Sequence, residues 1–267
     1  MLEMLQYGFM QRALIAGVLI AAICSAIGFF LVLRRMSMLG DGLAHISFGG
    51  IAAGMFFGVY PLLSALAFAV ASALGIQKLK QMKVYGDAAV AIFFSFGLAL
   101  GVVLVSMSRG FGTDLMSYLF GSILAVSQND LLLIAAVGAL TLAALALFYK
   151  ELMYMTFDEE SAKAAGIPVE RLNSMLIVLA AVAVVMSLRV VGILLVSSFM
   201  VIPASTALLL GKGFKSGIML SSALGVVSML AGLSLSYYLD IAAGGAVVLV
   251  LTAAFFCVLL VKRAGFW

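Results

Sequence analysis

Apolar stretches of about 18 or more residues, enough to cross a hydrocarbon core of about 30 Å as helices, recur along almost the whole chain. Their limits predict spans at 11–33, 41–59, 62–79, 87–108, 128–149, 172–189, 191–210, 215–238 and 243–261. The fold class that follows is all-α, a polytopic integral membrane bundle of about nine transmembrane helices (range eight to ten) filling residues 1–267 as one domain. Between 171 and 210 a single Arg189 separates two spans with almost no loop, which predicts a tight external turn or a broken helix.

Two connections are longer than a turn. The first, SRGFGTDLMSYLFGSILAVSQND (108–130), holds a segment too short to span. Asp114, or Thr113 beside it, is placed to cap it, and Tyr118 and Phe120 to anchor it at or just inside the outer interface, with a pore-lining role as the alternative. The second, KELMYMTFDEESAKAAGIPVERLN (150–173), is the only long charged passage. Within it Asp158, Glu159 and Glu160 suit the N-terminus of a short helix, and Gly166 followed by Pro168 ends it. This helix is expected to stand by itself outside the membrane, as a solvated linker or as a grip for an ATP-hydrolysing partner.

Composition agrees with the pattern: 66% of the residues are hydrophobic and 10% charged, far more apolar surface than one soluble core can hide. The net charge of +4 does not indicate nucleic acid, because the basic residues are scattered over several loops. They report orientation instead. With the N-terminus outside and the C-terminus cytoplasmic, Arg34, Arg35, Lys78, Lys80, Lys83, Lys150, Lys163, Arg171, Lys212, Lys215, Lys262 and Arg263 fall on the cytoplasmic side, against Arg12, Arg109 and Arg189 outside. The first apolar run is too long for a signal-peptide core and ends in two arginines, so it reads as a mature helix. Cys24 and Cys257 lie inside spans and show no paired spacing.

The scarcest ionisable groups sit in RRMSMLGDGLAHISFGG (34–50), where Asp41 and the only histidine, His45, are four residues apart. On a helix that spacing puts both side chains on one face, and carboxylate oxygen with imidazole nitrogen suits zinc, manganese or ferrous iron. The alternative is structural: Asp41 caps the second span and His45 is a satisfied polar residue between helices. Ionisable groups in a membrane generally turn toward protein or water and mark a pathway. Gly50, Gly54 and Gly58 form a four-residue series on a ridge beside this face, and Gly49 and Ala53 continue the face itself, so neighbouring helices are expected close by. Further ligands are not identified, although Asp87, Asp114 and Asp240 lie near span ends.

Pro203 lies within the seventh span and removes a helix hydrogen bond, predicting a kink or break. Ser197, Ser198, Ser205 and Thr206 are the nearby groups able to repair the backbone or line a polar path. No Walker-type phosphate loop, nucleophile elbow or HExxH zinc helix occurs. The chain is therefore not expected to be an enzyme, and no permanently bound cofactor is implied.

Four separated stretches carry a family resemblance. RRMSMLGDGLAH (34–45) resembles the RRxSxxGDxxxH signature of the membrane permease subunits of the zinc, manganese and iron class of ABC transporters. TDLMSYLFGSIL (113–124), FDEESAKAAGI (157–167) and VGILLVSSFMVIPASTA (191–207) resemble the family's corresponding segments in the same order. Near the C-terminus YYLDIAAGGAVVL (237–249) departs from the pattern, with Ala242 where proline is common. The resemblance implies a homodimeric permease in the cytoplasmic membrane, two cytoplasmic ATP-binding subunits and an extracytoplasmic metal-binding protein. It implies metal contact by Asp41 and His45, and ATPase coupling through Asp158, Glu159, Glu160, Ala162 and Gly166. Zinc, manganese and iron stay open as the cargo. The competing function is a self-sufficient secondary transporter or channel for a small cation, for which an inverted repeat is the expected sign and none is visible.

Overall fold

The computed structural model describes residues 6–108, 117–121, 126–193, 195–211 and 213–264. In chain order its helices are α1 (Gly8–Leu33), α2 (Leu39–Phe57), α3 (Pro61–Gln81), α4 (Gly86–Met107), α5 (Gln128–Leu147), α6 (Tyr149–Phe157), α7 (Glu159–Ala164), α8 (Val169–Ser187), α9 (Val196–Leu209), α10 (Phe214–Leu239) and α11 (Ala243–Arg263). No strand occurs among the described residues, and residues 117–120 add one helical turn. Nine of these helices answer the nine apolar runs; α6 and α7 occupy the long charged connection.

Seven helices are long and apolar enough to cross a membrane on those grounds alone. The other two are informative. α2 has 19 residues but carries Asp41, His45 and five glycines. α9 has only 14 residues, about 21 Å at 1.5 Å per residue, so it falls short of a full crossing. The expected span 191–210 is a broken one, with residues 188–191, 193 and 195 in turns ahead of α9. Sequence chemistry sets several of the ends. Pro61 opens α3, where its missing amide is not needed. Ser127 and Asp130 form a reciprocal capping box on α5. Gly58, with φ 68°, ends α2 in the left-handed conformation. The third member of the expected glycine series is thus a helix stop with open space around it and not a packing surface.

α1 runs through the middle of the bundle, flanked by α5, α8, α9 and α10. Its Ile20, Ile27, Phe29 and Phe30 are fully buried. In lipid, helices associate through close packing and interhelical hydrogen bonds. Gly28 meets the α9 backbone so closely that a Cβ there would overlap the Met200 carbonyl. α2 is gripped by α3 and α4 in the same way: a Cβ at Gly50 would stand 2.7 Å from Ala65 Cα, and one at Gly49 2.6 Å from the Gly97 carbonyl oxygen. The expected close approach at Gly49, Gly50 and Gly54 is present.

The two ends of the bundle differ. At one, Arg34, Lys80 and Lys163 gather around Glu159, and Lys262 Nζ donates to the Leu209 carbonyl. We call this the basic end. At the other, Arg189 pairs with Asp130 and donates to the Tyr60 hydroxyl at 2.9 Å.

Candidate functional site

Asp41 stands in the first turn of α2 and His45 one turn further on. His45 Nε2 lies 3.9 Å from Asp41 Oδ1, with side chains 16% and 29% exposed. They share a face, are too far apart for a hydrogen bond, and leave room for a third atom to bind both. Asp41 does not cap its helix through a side-chain hydrogen bond. The structural alternative, a simple N-cap, is therefore not what α2 uses it for.

Two helices frame the pair. From α4, the Phe94 ring centroid sits 4.4 Å from that of His45, and Val90 fills the space over Gly42. From α9, Met200 Sδ would lie 2.9 Å from a Cβ on Gly40, and Ser197 Cα 3.6 Å. Gly40 thus admits α9 beside Asp41. Leu195, two residues before Ser197, touches Gly244 at the far-end start of α11. Ser197 and Ser198 occupy the first turn of α9, both partly exposed. Phe94 and Met200 were not legible as neighbours, because only tertiary packing brings them to α2. No cluster of three or more His, Cys, Asp or Glu occurs among the described residues, so neither Asp87 nor Asp240 joins the pair. Asp114 lies outside the described residues.

Pro203 lies inside α9, buried, and the helix continues through it. Its missing amide would have served the Phe199 carbonyl. That oxygen is met by the Ser25 hydroxyl of α1, donating at 3.4 Å. Of the four hydroxyls expected to mend the kink, Thr206 donates to the Ile202 carbonyl at 2.7 Å, one turn back, and not to Phe199.

The broken segment is pinned by main chain. The Ile193 amide donates to the Tyr118 carbonyl at 2.9 Å. Gly192, with φ 87°, meets Gly121 backbone to backbone, and Gly244 abuts the Val191 and Phe120 carbonyls. Tyr118 is tied into the bundle, and the caps expected at Thr113 and Asp114 lie outside the described residues.

The charged connection forms the expected short helix. Asp158 caps α7, its Oδ2 accepting from the Ser161 hydroxyl and its Oδ1 from the Ser161 amide at 2.9 Å, and these bonds hold its carboxyl below the usual range. Gly166, with φ 81°, ends it and Pro168 opens the way into α8. The expectation that it stands alone is corrected: Ala162 is fully buried against the bundle, and Arg34 Nη2 donates to Glu159 Oε2 at 3.0 Å. Burial holds the Arg34 guanidinium below its ordinary value, and the Glu159 charge offsets only part of that. α6, missed in the sequence because no breaker separates Leu147 from Tyr149, buries Leu152 and Met155. Asp158, Glu160, Lys163 and Gly166 face outward beside Phe157, which is 70% exposed. A polar cleft of about 450 Å³ lined by Lys163, Gly166, Pro168 and Glu170 adjoins them.

A helical bundle in which seven helices are long and apolar enough to cross a membrane, with a docked helical platform at one end, defines a multi-pass membrane protein. Residues 6–262 match the ABC 3 transport family, and the chain belongs to that family, among the permeases of metal ABC transporters. It is 39% identical over 254 residues to the manganese transport system membrane protein MntC of Listeria innocua, covering 95% of this chain and 90% of that one. To the manganese import system permease protein ScaB of Streptococcus gordonii it is 35% identical, with coverage of 91% and 87%. A solved structure, PsaBC from Streptococcus pneumoniae in complex with Fab, superposes with a TM-score of 0.86 at 34% identity, covering 96% of this chain and 92% of that one.

Proposed function

We propose that this chain is the membrane subunit of an ABC importer for a divalent transition metal, with manganese the foremost cargo. The observation that carries the reading is the Asp41/His45 pair, side by side in the first turns of α2 between α4 and α9. An oxygen and a nitrogen donor suit manganese, zinc and ferrous iron alike. The relatives named for manganese transport weight the choice toward that ion. One copy offers two such donors, fewer than a held metal needs. A second copy would double them to two carboxylates and two imidazoles, which fits a homodimer with the pathway between protomers.

ATP hydrolysis belongs to two cytoplasmic partner subunits docking on α7 through the outward-facing Asp158, Glu160 and Gly166. The buried Ala162 and the paired Glu159 seat that helix on the bundle. The basic end is then cytoplasmic, as the positive-inside rule requires, and the N-terminus lies outside. An extracytoplasmic binding protein delivers the metal. Alternate opening of the bundle moves the ion past Asp41 and His45, with Pro203 in α9 as the hinge candidate and Ser197 and Ser198 along the path. Family membership supports this over a self-sufficient carrier. The test is reconstitution with the partner ATPase: manganese must stimulate hydrolysis and enter the vesicles only with ATP, and ATP-independent uptake by the isolated chain would refute the reading.

A further inference from the structure

We propose that the Arg34–Glu159 ion pair is the mechanical link that carries movement of α7 to the Asp41/His45 pair. The inference rests on the proposed coupling and metal roles, and goes beyond them by naming the residue that joins them.

Arg34 is the C-cap of α1 and its side chain is only 6% exposed. The segment from Arg34 to Asp41 is a hydrogen-bonded turn. The Arg34, Arg35 and Met36 amides donate to the Phe30, Val32 and Leu31 carbonyls at 3.0, 3.1 and 2.8 Å, and the Leu39 amide to Met36 at 3.1 Å. Arg35 holds φ 55°, a left-handed conformation that fixes the direction of the turn. Such a turn moves as a piece, so a pull on Arg34 reaches the first turn of α2, where Asp41 stands.

The pull has one strong route. Glu159 is the first residue of α7, and its two oxygens divide between Arg34 and Lys163, each at 3.0 Å. A second side-chain tether on the turn, among the described residues, is Lys80 Nζ to Met36 Sδ at 3.4 Å, a bond to a thioether, which is a weak acceptor. A charge-assisted bond at a buried guanidinium is the stiffer of the two. Arg34 Nη1 is also buried with no hydrogen-bond partner among the described residues. The guanidinium therefore keeps a spare donor with which to re-form contacts when α7 shifts. A structural role alone, satisfying a buried cation, predicts loss of stability with transport and hydrolysis falling together.

The test uses the complex reconstituted with its ATPase and binding protein, with manganese(II) as the probe, reading metal transported per ATP hydrolysed alongside thermal stability. Arg34→Gln and Glu159→Gln are each expected to lower that ratio at least about tenfold, the scale of one charge-assisted hydrogen bond. The double variant falls no further, because the same link is already cut, and Arg34→Lys recovers part of the ratio. An unchanged ratio in both singles, or losses that multiply in the double, overturns the proposal. If Arg34→Gln fails to assemble, Glu159→Gln decides alone, since Glu159 is 44% exposed. A wild-type complex in which manganese stimulates no hydrolysis refutes the underlying reading, an outcome distinct from a coupled wild type with unaffected variants.

Discussion

The Ser25 hydroxyl of α1 donates at 3.4 Å to the Phe199 carbonyl of α9, the oxygen that Pro203 cannot serve. A proline inside a membrane helix is tolerated when a neighbour re-satisfies the freed group. Here the neighbour is 174 residues away in the chain. Ser25→Ala is expected to cost about 0.5–2 kcal/mol, the range for interhelical hydrogen bonds in membranes. In a Pro203→Ala background, which returns the helix amide, the same change should cost less. Unfolding midpoints of the four variants in detergent check this.

Gly192 joins a left-handed φ of 87° to backbone contact with Gly121. A Cβ there would stand 2.6 Å from the Leu119 carbonyl oxygen. Gly192→Ala should destabilise by more than about 1–2 kcal/mol, since both strain and overlap act. Alanine at Gly245, where no atom lies within 4 Å of the added carbon, should be tolerated. Comparing the thermal stability of the two purified variants tests the contrast.

Asp130 serves two masters, the α5 cap and the Arg189 ion pair. Asp130→Asn leaves the Arg189 charge facing a neutral group in a mostly buried setting and should cost on the order of 3 kcal/mol. Adding Arg189→Gln should restore part of the loss. A double-mutant cycle on unfolding free energy reads the coupling, and simple additivity would show that the pair is not linked.

Hydrogen bonds to Ser161 hold the Asp158 carboxyl below its ordinary value. Its folded-state pKa is depressed, so the capping contribution is complete above the unfolded carboxylate value of about 3.9 and is lost as pH falls through the folded one. Near neutral pH the cap is intact, and Asp158→Ala should speed amide exchange at Ser161. Wild type should show the same increase only in strong acid.

Much of the fold was legible because apolar run length is a one-dimensional signal: each of the nine runs became a helix, with ends shifted by a few residues. The exception is Val196, five residues later than expected, because the amides of Val190, Val191, Gly192 and Leu195 are taken by local turns and that of Ile193 by Tyr118. The Asp41/His45 face followed from helical periodicity. What surrounds it did not: Phe94, Met200 and the Ser25 bond depend on which helices pack together. Arg34 was read as an orientation signal, and nothing local marks it as the partner of a glutamate 125 residues on.

The central claim is that Asp41 and His45 touch the metal in transit. Manganese titration of ATPase activity and uptake in the reconstituted complex, comparing wild type with Asp41→Ala and His45→Ala at equal thermal stability, tests it most directly. Either substitution should reduce uptake by at least about 10- to 100-fold, the effect that even outer partners of metal sites produce. Full manganese uptake and stimulation in both stably folded variants would contradict it.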